Sequence, residues 1–211
     1  MEIDMKIVWL GENGLLFDNG KITVAVDPVG MPDTSVDVLV LTGTAENRYV
    51  AESVASALAA GGKTVLASEG AYSRLCAEGY AEDNTCVLLS PHSVWSQGGI
   101  TFYSVKAEHT DRTAIGVILD DGDKTYYVSG STLYNFDVID DVLDLVEDGV
   151  DCAFLPISGK GGCMNAKDAA DFAYELGAAH AVPVCHGNVD PSEFDFEDAL
   201  YLAIGEELEL D

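Results

Sequence analysis

The 211-residue chain is predicted to be a layered domain of the α/β or α+β class, and three observations carry that prediction. Residues 36–41 (VDVLVL) are a β-branched, apolar run broken only by Asp37. They pass through a short polar turn into an alanine-rich helical segment, the kind of junction at which α/β sheets display their chemistry. From Thr85 the pattern changes to short alternating runs separated by Gly98-Gly99 and Asp121-Gly122, which reads as a second, antiparallel sheet. Hydrophobic residues make up 48% of the chain, enough to bury one good core, and nothing marks a boundary, so residues 1–211 are read as a single domain.

Taken in order, residues 6–10 form an apolar strand, followed by a turn at Gly11-Glu12-Asn13-Gly14 and a second strand through Phe17. Asp18-Asn19-Gly20 has hairpin-turn composition, and a third strand at 22–26 ends at Asp27-Pro28. After the strand at 36–41, residues 49–60 (YVAESVASALAA) carry apolar residues at helical spacing and stop at Gly61-Gly62. A strand at 63–67 and a helix at 69–77, closed by Gly79, come next. The second sheet is assigned the runs at 86–89, 93–96, 100–106, 114–119 and 125–129. Residues 136–148 place Val138, Ile139, Val142, Leu143 and Val146 on one helical face. A buried strand at 152–157, a helix at 166–176, a strand at 181–184 and a closing helix at 191–204 complete the series, with an acidic tail expected to fray.

The composition narrows the function. A formal net charge of -27, from 37 acidic and 10 basic side chains, argues against nucleic acid and anionic membranes as partners, because neutralising phosphates requires clustered Lys and Arg. No run of eighteen apolar residues exists, and MEIDMK places acids where a signal peptide has a basic head, so a cytoplasmic location is expected. Cys76, Cys86, Cys152, Cys163 and Cys185 are odd in number and lack CxxC spacing, so they are read as buried small hydrophobes.

The segments MKIVWLGENGLLFD, VDVLVLTGTAENRYV, VKAEHT, VSGST, FLPISG and VPVCHGN, in that order, resemble the metallo-β-lactamase superfamily. The branch they are most similar to is the small metal-dependent hydrolases related to L-ascorbate-6-phosphate lactonase. The resemblance implies an α+β fold: an αββα four-layer sandwich, two mixed β-sheets faced by helices. It also implies a two-metal site built from a Thr-His-x-His-x-Asp-His turn, two later His and a bridging Asp, in which zinc or manganese lowers the pKa of a shared water. Here the turn reads Thr42-Gly43-Thr44-Ala45-Glu46-Asn47-Arg48, and Ser131 stands where the bridging Asp belongs. Only His109 and His186 match ligand positions, so five of seven donors are lost. Glycine and alanine have no donor atoms, arginine cannot shed its proton, and two imidazoles are too few for a catalytic zinc. Neither a metal nor another cofactor is expected.

Other chemistry is weakly signalled. Ser131, Thr44 and Cys185 are nucleophile types near a His in the implied fold, but no Gly-x-Ser-x-Gly elbow exists, and strand alternation at 185–186 would turn Cys185 and His186 to opposite faces. Gly159-Lys160-Gly161-Gly162 resembles a phosphate-binding fragment without the spacing of a P-loop. In the implied fold it lies beside the cavity, which brings Lys160 toward Arg48. His92 and His180 match no ligand and are read as structural, and Asp27 as an anchor for its turn.

The reading favoured is therefore a hydrolase-like pseudoenzyme with a degenerate metal site that binds a small anionic molecule through Arg48, His109, Ser131, Lys160 and His186. One alternative is a lactone, ester or phosphoester hydrolase with one metal, zinc or manganese, held by His109, His186 and a carboxylate such as Glu46. Another is a structural or partner-binding relic.

Overall fold

The computed structural model describes residues 4–30, 35–146 and 149–210. The strands are β1 (Lys6–Gly11), β2 (Gly14–Asp18), β3 (Thr23–Val26), β4 (Val38–Leu41), β5 (Thr64–Ser68), β6 (Thr85–Leu89), β7 (Val94–Gln97), β8 (Ile100–Lys106), β9 (Ile115–Asp120), β10 (Thr125–Val128), β11 (Cys152–Pro156), β12 (His180–Val184) and β13 (Glu207–Leu208). The helices are α1 (Ala51–Leu58), α2 (Glu69–Ala77), α3 (Phe136–Leu143) and α4 (Ala166–Glu175). The chain divides into two compact units, Met1–Leu89 with Leu202–Asp211, and Ser90–Tyr201, each holding one mixed sheet and two helices.

The first sheet runs β13-β1-β2-β3-β4-β5-β6, antiparallel from β13 to β3 and parallel from β3 to β6. Leu39, Leu41, Val65 and Ala67 share a core with Val54, Ala57 and Leu58 of α1 and Ala71 and Leu75 of α2. The alternate positions Val38, Val40 and Leu66 are also buried, so these strands are apolar on both faces and read as continuous hydrophobic runs. Helix α2 gives way to Gly79 in the left-handed region (φ 83), where a side chain would be strained.

The second sheet runs β12-β11-β10-β9-β8-β7, antiparallel from β7 to β10 and parallel from β10 to β12. Val138, Ile139 and Val142 of α3 and Ala169, Phe172 and Ala173 of α4 pack with Val105, Ile118, Tyr127 and Leu155. Both helices open on an asparagine cap: Asn135 accepts from the Asp137 amide and Asn165 from the Asp168 amide.

Four expectations need correction. The run at 86–89 belongs to the first sheet, where β6 pairs parallel with β5, because the α2 crossover returns it beside β5. Helix α3 stops at Leu143; of the span assigned to it, residues 147 and 148 lie outside the described residues. The closing helix is absent. After a short 3-10 turn at Pro191–Glu193, the backbone turns outward to β12: the Leu200 amide donates to Ala181 O at 2.8 Å and the Ala181 amide to Asp198 O at 3.3 Å. Phe194 is buried in the second core, and its neighbours Asp195, Glu197 and Asp198 favour an irregular path over a helix. The acidic tail is paired and not frayed: β13 adds to β1, and Lys6 Nζ lies 3.0 Å from Glu207 and 3.4 Å from Glu209.

Candidate functional site

In the first unit, β3, β4 and β5 run parallel in register, with Val26 opposite Val40 and Leu41 opposite Ala67. Their carboxyl ends therefore bring Asp27, Thr42 and Ser68 to one end of the sheet. Because β2 runs antiparallel to β3, the β1–β2 turn carrying Asn13 lies at the same end. All four side chains are buried. Asp27 adopts a left-handed backbone (φ 43), and its carboxylate accepts the Thr42 amide at 2.8 Å on Oδ1 and the Thr42 hydroxyl on Oδ2.

Arg48 enters this end from the turn that follows β4. The Arg48 and Tyr49 amides both donate to Ala45 O at 2.9 Å, so the segment coils back on itself. The guanidinium then lies on Gly43: a Cβ built there would stand 2.6 Å from Nη1 and 2.7 Å from Cζ. Positions 43 and 48 are thus one packing event, since the arginine fills the space that a side chain at 43 would need. Arg48 is fully buried (0% exposed), and its Nε, Nη1 and Nη2 have no hydrogen-bond partner among the described residues. Burial pushes the Asp27 carboxyl up to about 7, while the Arg48 charge and the two Thr42 bonds pull against the rise.

In the second unit, the residues after β8, β10, β11 and β12 meet at one end of that sheet. The Glu108 amide donates to Thr132 Oγ1 at 3.0 Å, the Leu133 amide to Glu108 O at 2.8 Å, and the Met164 amide to Thr132 O at 3.0 Å. His109 lies under the Gly159-Lys160-Gly161-Gly162 loop. Its Nδ1 accepts the Asp111 amide at 2.9 Å, which leaves Nε2 to donate to Gly161 O at 2.8 Å. A Cβ on Gly162, which has φ 83, would stand 2.3 Å from the ring, so only glycine lets the loop close on the imidazole. His186 donates from Nε2 to Pro183 O at 2.7 Å. Ser131 is buried beside Thr132, and Lys160 is exposed.

The five sequence candidates therefore fall on two sheet ends, Arg48 in the first unit and His109, Ser131, Lys160 and His186 in the second. The residues do not fit a metal. Both nitrogens of His109 are engaged, the Nε2 lone pair of His186 is taken up by its proton, and a fixed cation covers Gly43. Glu46, the carboxylate considered for a single-metal site, is exposed in the first unit. Among the described residues, no group of three or more His, Cys, Asp or Glu side chains is gathered as a metal would need.

Strand alternation does not govern Cys185 and His186, because β12 ends at Val184 and Cys185 is left-handed (φ 49). The glycine loop does not lead directly into a helix; α4 begins only at Ala166, after its cap Asn165. His92 is an exposed surface residue with Nε2 3.3 Å from the buried Asp141 carboxylate. Two polar residues escaped the sequence reading, Asn13 and Ser68. Asn13 Oδ1 and Nδ2 and Ser68 Oγ are buried without a partner among the described residues. The available signal was positional, since each sits where a strand meets its turn at the same end as Asp27.

No family model and no curated relative matches the chain. Solved structures do. Igni18, a metallo hydrolase from Ignicoccus hospitalis, superposes with a TM-score of 0.79 at 18% identity, over 98% of this chain and 98% of its own. YhfI of Bacillus subtilis, a metallo-β-lactamase fold protein, gives 0.78 at 16% identity over 98% and 99%. An isothiocyanate hydrolase from Delia radicum gut bacteria gives 0.75 at 15% over 98% and 99%. At these identities the likeness establishes the fold. No described helix is long and apolar enough to cross a membrane.

Proposed function

We propose, taking the metallo-β-lactamase fold of this chain as the premise, that it is a non-catalytic protein that binds a small anion at the Arg48 end of the first sheet. The observation that carries this reading is the fully buried guanidinium with three nitrogens lacking partners among the described residues. A buried arginine in that state is costly, and such groups in folded proteins are normally satisfied by a partner, a water or an ion. An oxyanion would satisfy them with charge-assisted hydrogen bonds, each stronger than a neutral one. Asp27 offsets the charge in part, but its own bonds are those from Thr42. In this reading Arg48 supplies as a fixed cation the positive charge that a divalent metal supplies in the enzymes of this fold. The net charge of -27 repels polyanions at long range, which favours a small ligand over nucleic acid.

The test is a melting-curve screen of phosphate, sulfate and small carboxylates on wild type and Arg48→Ala. At least one anion raises the wild-type melting temperature, and the substitution weakens its binding by about 2 kcal/mol, the lower range for truncating one partner of a buried charge pair. Anions that act on both proteins alike, or on neither, would leave a relic without a ligand as the better account. Stoichiometric metal with hydrolytic turnover would favour a rebuilt hydrolase instead.

A further inference from the structure

Resting on the anion-binding reading above, we infer that the ligand of the first sheet end is an oxyanion that carries its own O–H, such as hydrogen phosphate or a hydroxycarboxylate, and not a fully deprotonated one such as sulfate. The guanidinium on Gly43 supplies donors only. The residue before it, Thr42, holds the Asp27 carboxylate by its amide and its hydroxyl. Any anion on Arg48 therefore meets an acidic neighbour across one residue. Each carboxylate oxygen takes one bond from Thr42 and keeps a second lone pair.

The same end holds further unmet acceptors. Asn13 is buried with both amide atoms unpartnered among the described residues. The turn that carries it lies on the backbone of Asp27: a Cβ on Gly14 would stand 3.2 Å from Asp27 O and 2.8 Å from the Val29 amide nitrogen. Ser68, beside Thr42 in the next strand, has a buried hydroxyl in the same condition. An anion without hydrogens answers Arg48 and the Asn13 amino group. It leaves the Asn13 carbonyl unmet and is repelled by Asp27. An anion with one O–H donates to either acceptor and turns the repulsive contact into a hydrogen bond. Donor-rich and acceptor-rich groups at one sheet end thus select for the ligand's proton as well as its charge.

The experiment is isothermal titration of wild type at pH 8 with phosphate and with sulfate. At that pH both are dianions of similar size, and they differ in the single proton of hydrogen phosphate. Hydrogen phosphate is expected to bind about tenfold more tightly or better, the scale of one unsatisfied buried polar group. Glycolate against acetate repeats the comparison with a carboxylate that has or lacks a hydroxyl, and glycolate should bind more tightly. Asn13→Leu, checked for an intact melting transition, removes the amino donor open to both anions and the carbonyl acceptor open only to hydrogen phosphate, so it should weaken both and phosphate more, reducing the phosphate preference. Ser68→Ala serves as the second variant if Asn13→Leu does not fold. Equal or tighter binding of sulfate by wild type, with binding by Arg48→Ala still impaired, overturns the selectivity and leaves the anion reading standing. Absence of binding by either anion overturns both.

Discussion

Replacing Gly43 by alanine is expected to damage the protein through Arg48, and the damage should vanish when Arg48 is absent. The added methyl would stand 2.6 Å from Nη1, 2.7 Å from Cζ and 3.1 Å from Nη2, so the guanidinium must retreat by about 1 Å to reach ordinary contact distance. With 0% of the residue exposed, the retreat goes into packed protein and disturbs the electrostatic interaction of the cation with Asp27. Loss of one partner from a buried charge pair costs about 3–5 kcal/mol, and a displacement forfeits a part of that. Gly43 is outside the left-handed region, so alanine there also recovers about 0.5–1 kcal/mol from the unfolded chain. The net loss for Gly43→Ala is about 2 kcal/mol in wild type and near zero or slightly favourable in Arg48→Ala, a coupling of about 2 kcal/mol in the double-mutant cycle. Urea unfolding at pH 8, where Asp27 is charged, measures all four corners. Equal costs of Gly43→Ala in the two backgrounds would refute the packing of Arg48 on Gly43 as the source of the loss.

Asp27 supplies a pH signature. Its folded value of about 7 exceeds an unfolded value of about 3.9, so the folded state holds the proton more tightly. Its contribution is complete below about pH 4 and is lost as pH rises to about 7, by up to about 4 kcal/mol. Asp27→Asn should remove that slope from unfolding free energies measured across the window, and an unchanged slope would locate it elsewhere. Gly162→Ala should lift the loop from His109, lower the melting temperature, and speed modification of the imidazole by diethyl pyrocarbonate; unaltered reactivity would mean that the loop does not shield the ring. Protein purified without added metal is expected to hold no stoichiometric zinc, manganese or iron and to melt cooperatively. Chelation should leave its melting temperature unchanged, and a drop would reinstate a metal-dependent account.

Strands β1 to β12 and helices α1, α2 and α4 were legible because their periodicities are local: β-branched or alternating apolar runs, apolar residues at helical spacing, and glycine or asparagine at the ends. The segment at 191–204 was misread because its aromatic and acidic residues mimic a helical pattern, while its backbone is committed to β12. That choice belongs to a partner strand distant in sequence. The same holds for β6, whose sheet is decided by the neighbour it meets and not by its own residues. At the candidate site, that glycine at 43, alanine at 45 and arginine at 48 offer no donor to a metal was plain from residue identity alone, in any fold. Only the tertiary structure could show that Gly43 and Arg48 pack as one unit in space, that Asn13 and Ser68 are buried without partners among the described residues, and that both nitrogens of His109 are engaged. Donor and acceptor satisfaction depends on which backbone groups arrive from other strands, and the linear sequence does not carry that information.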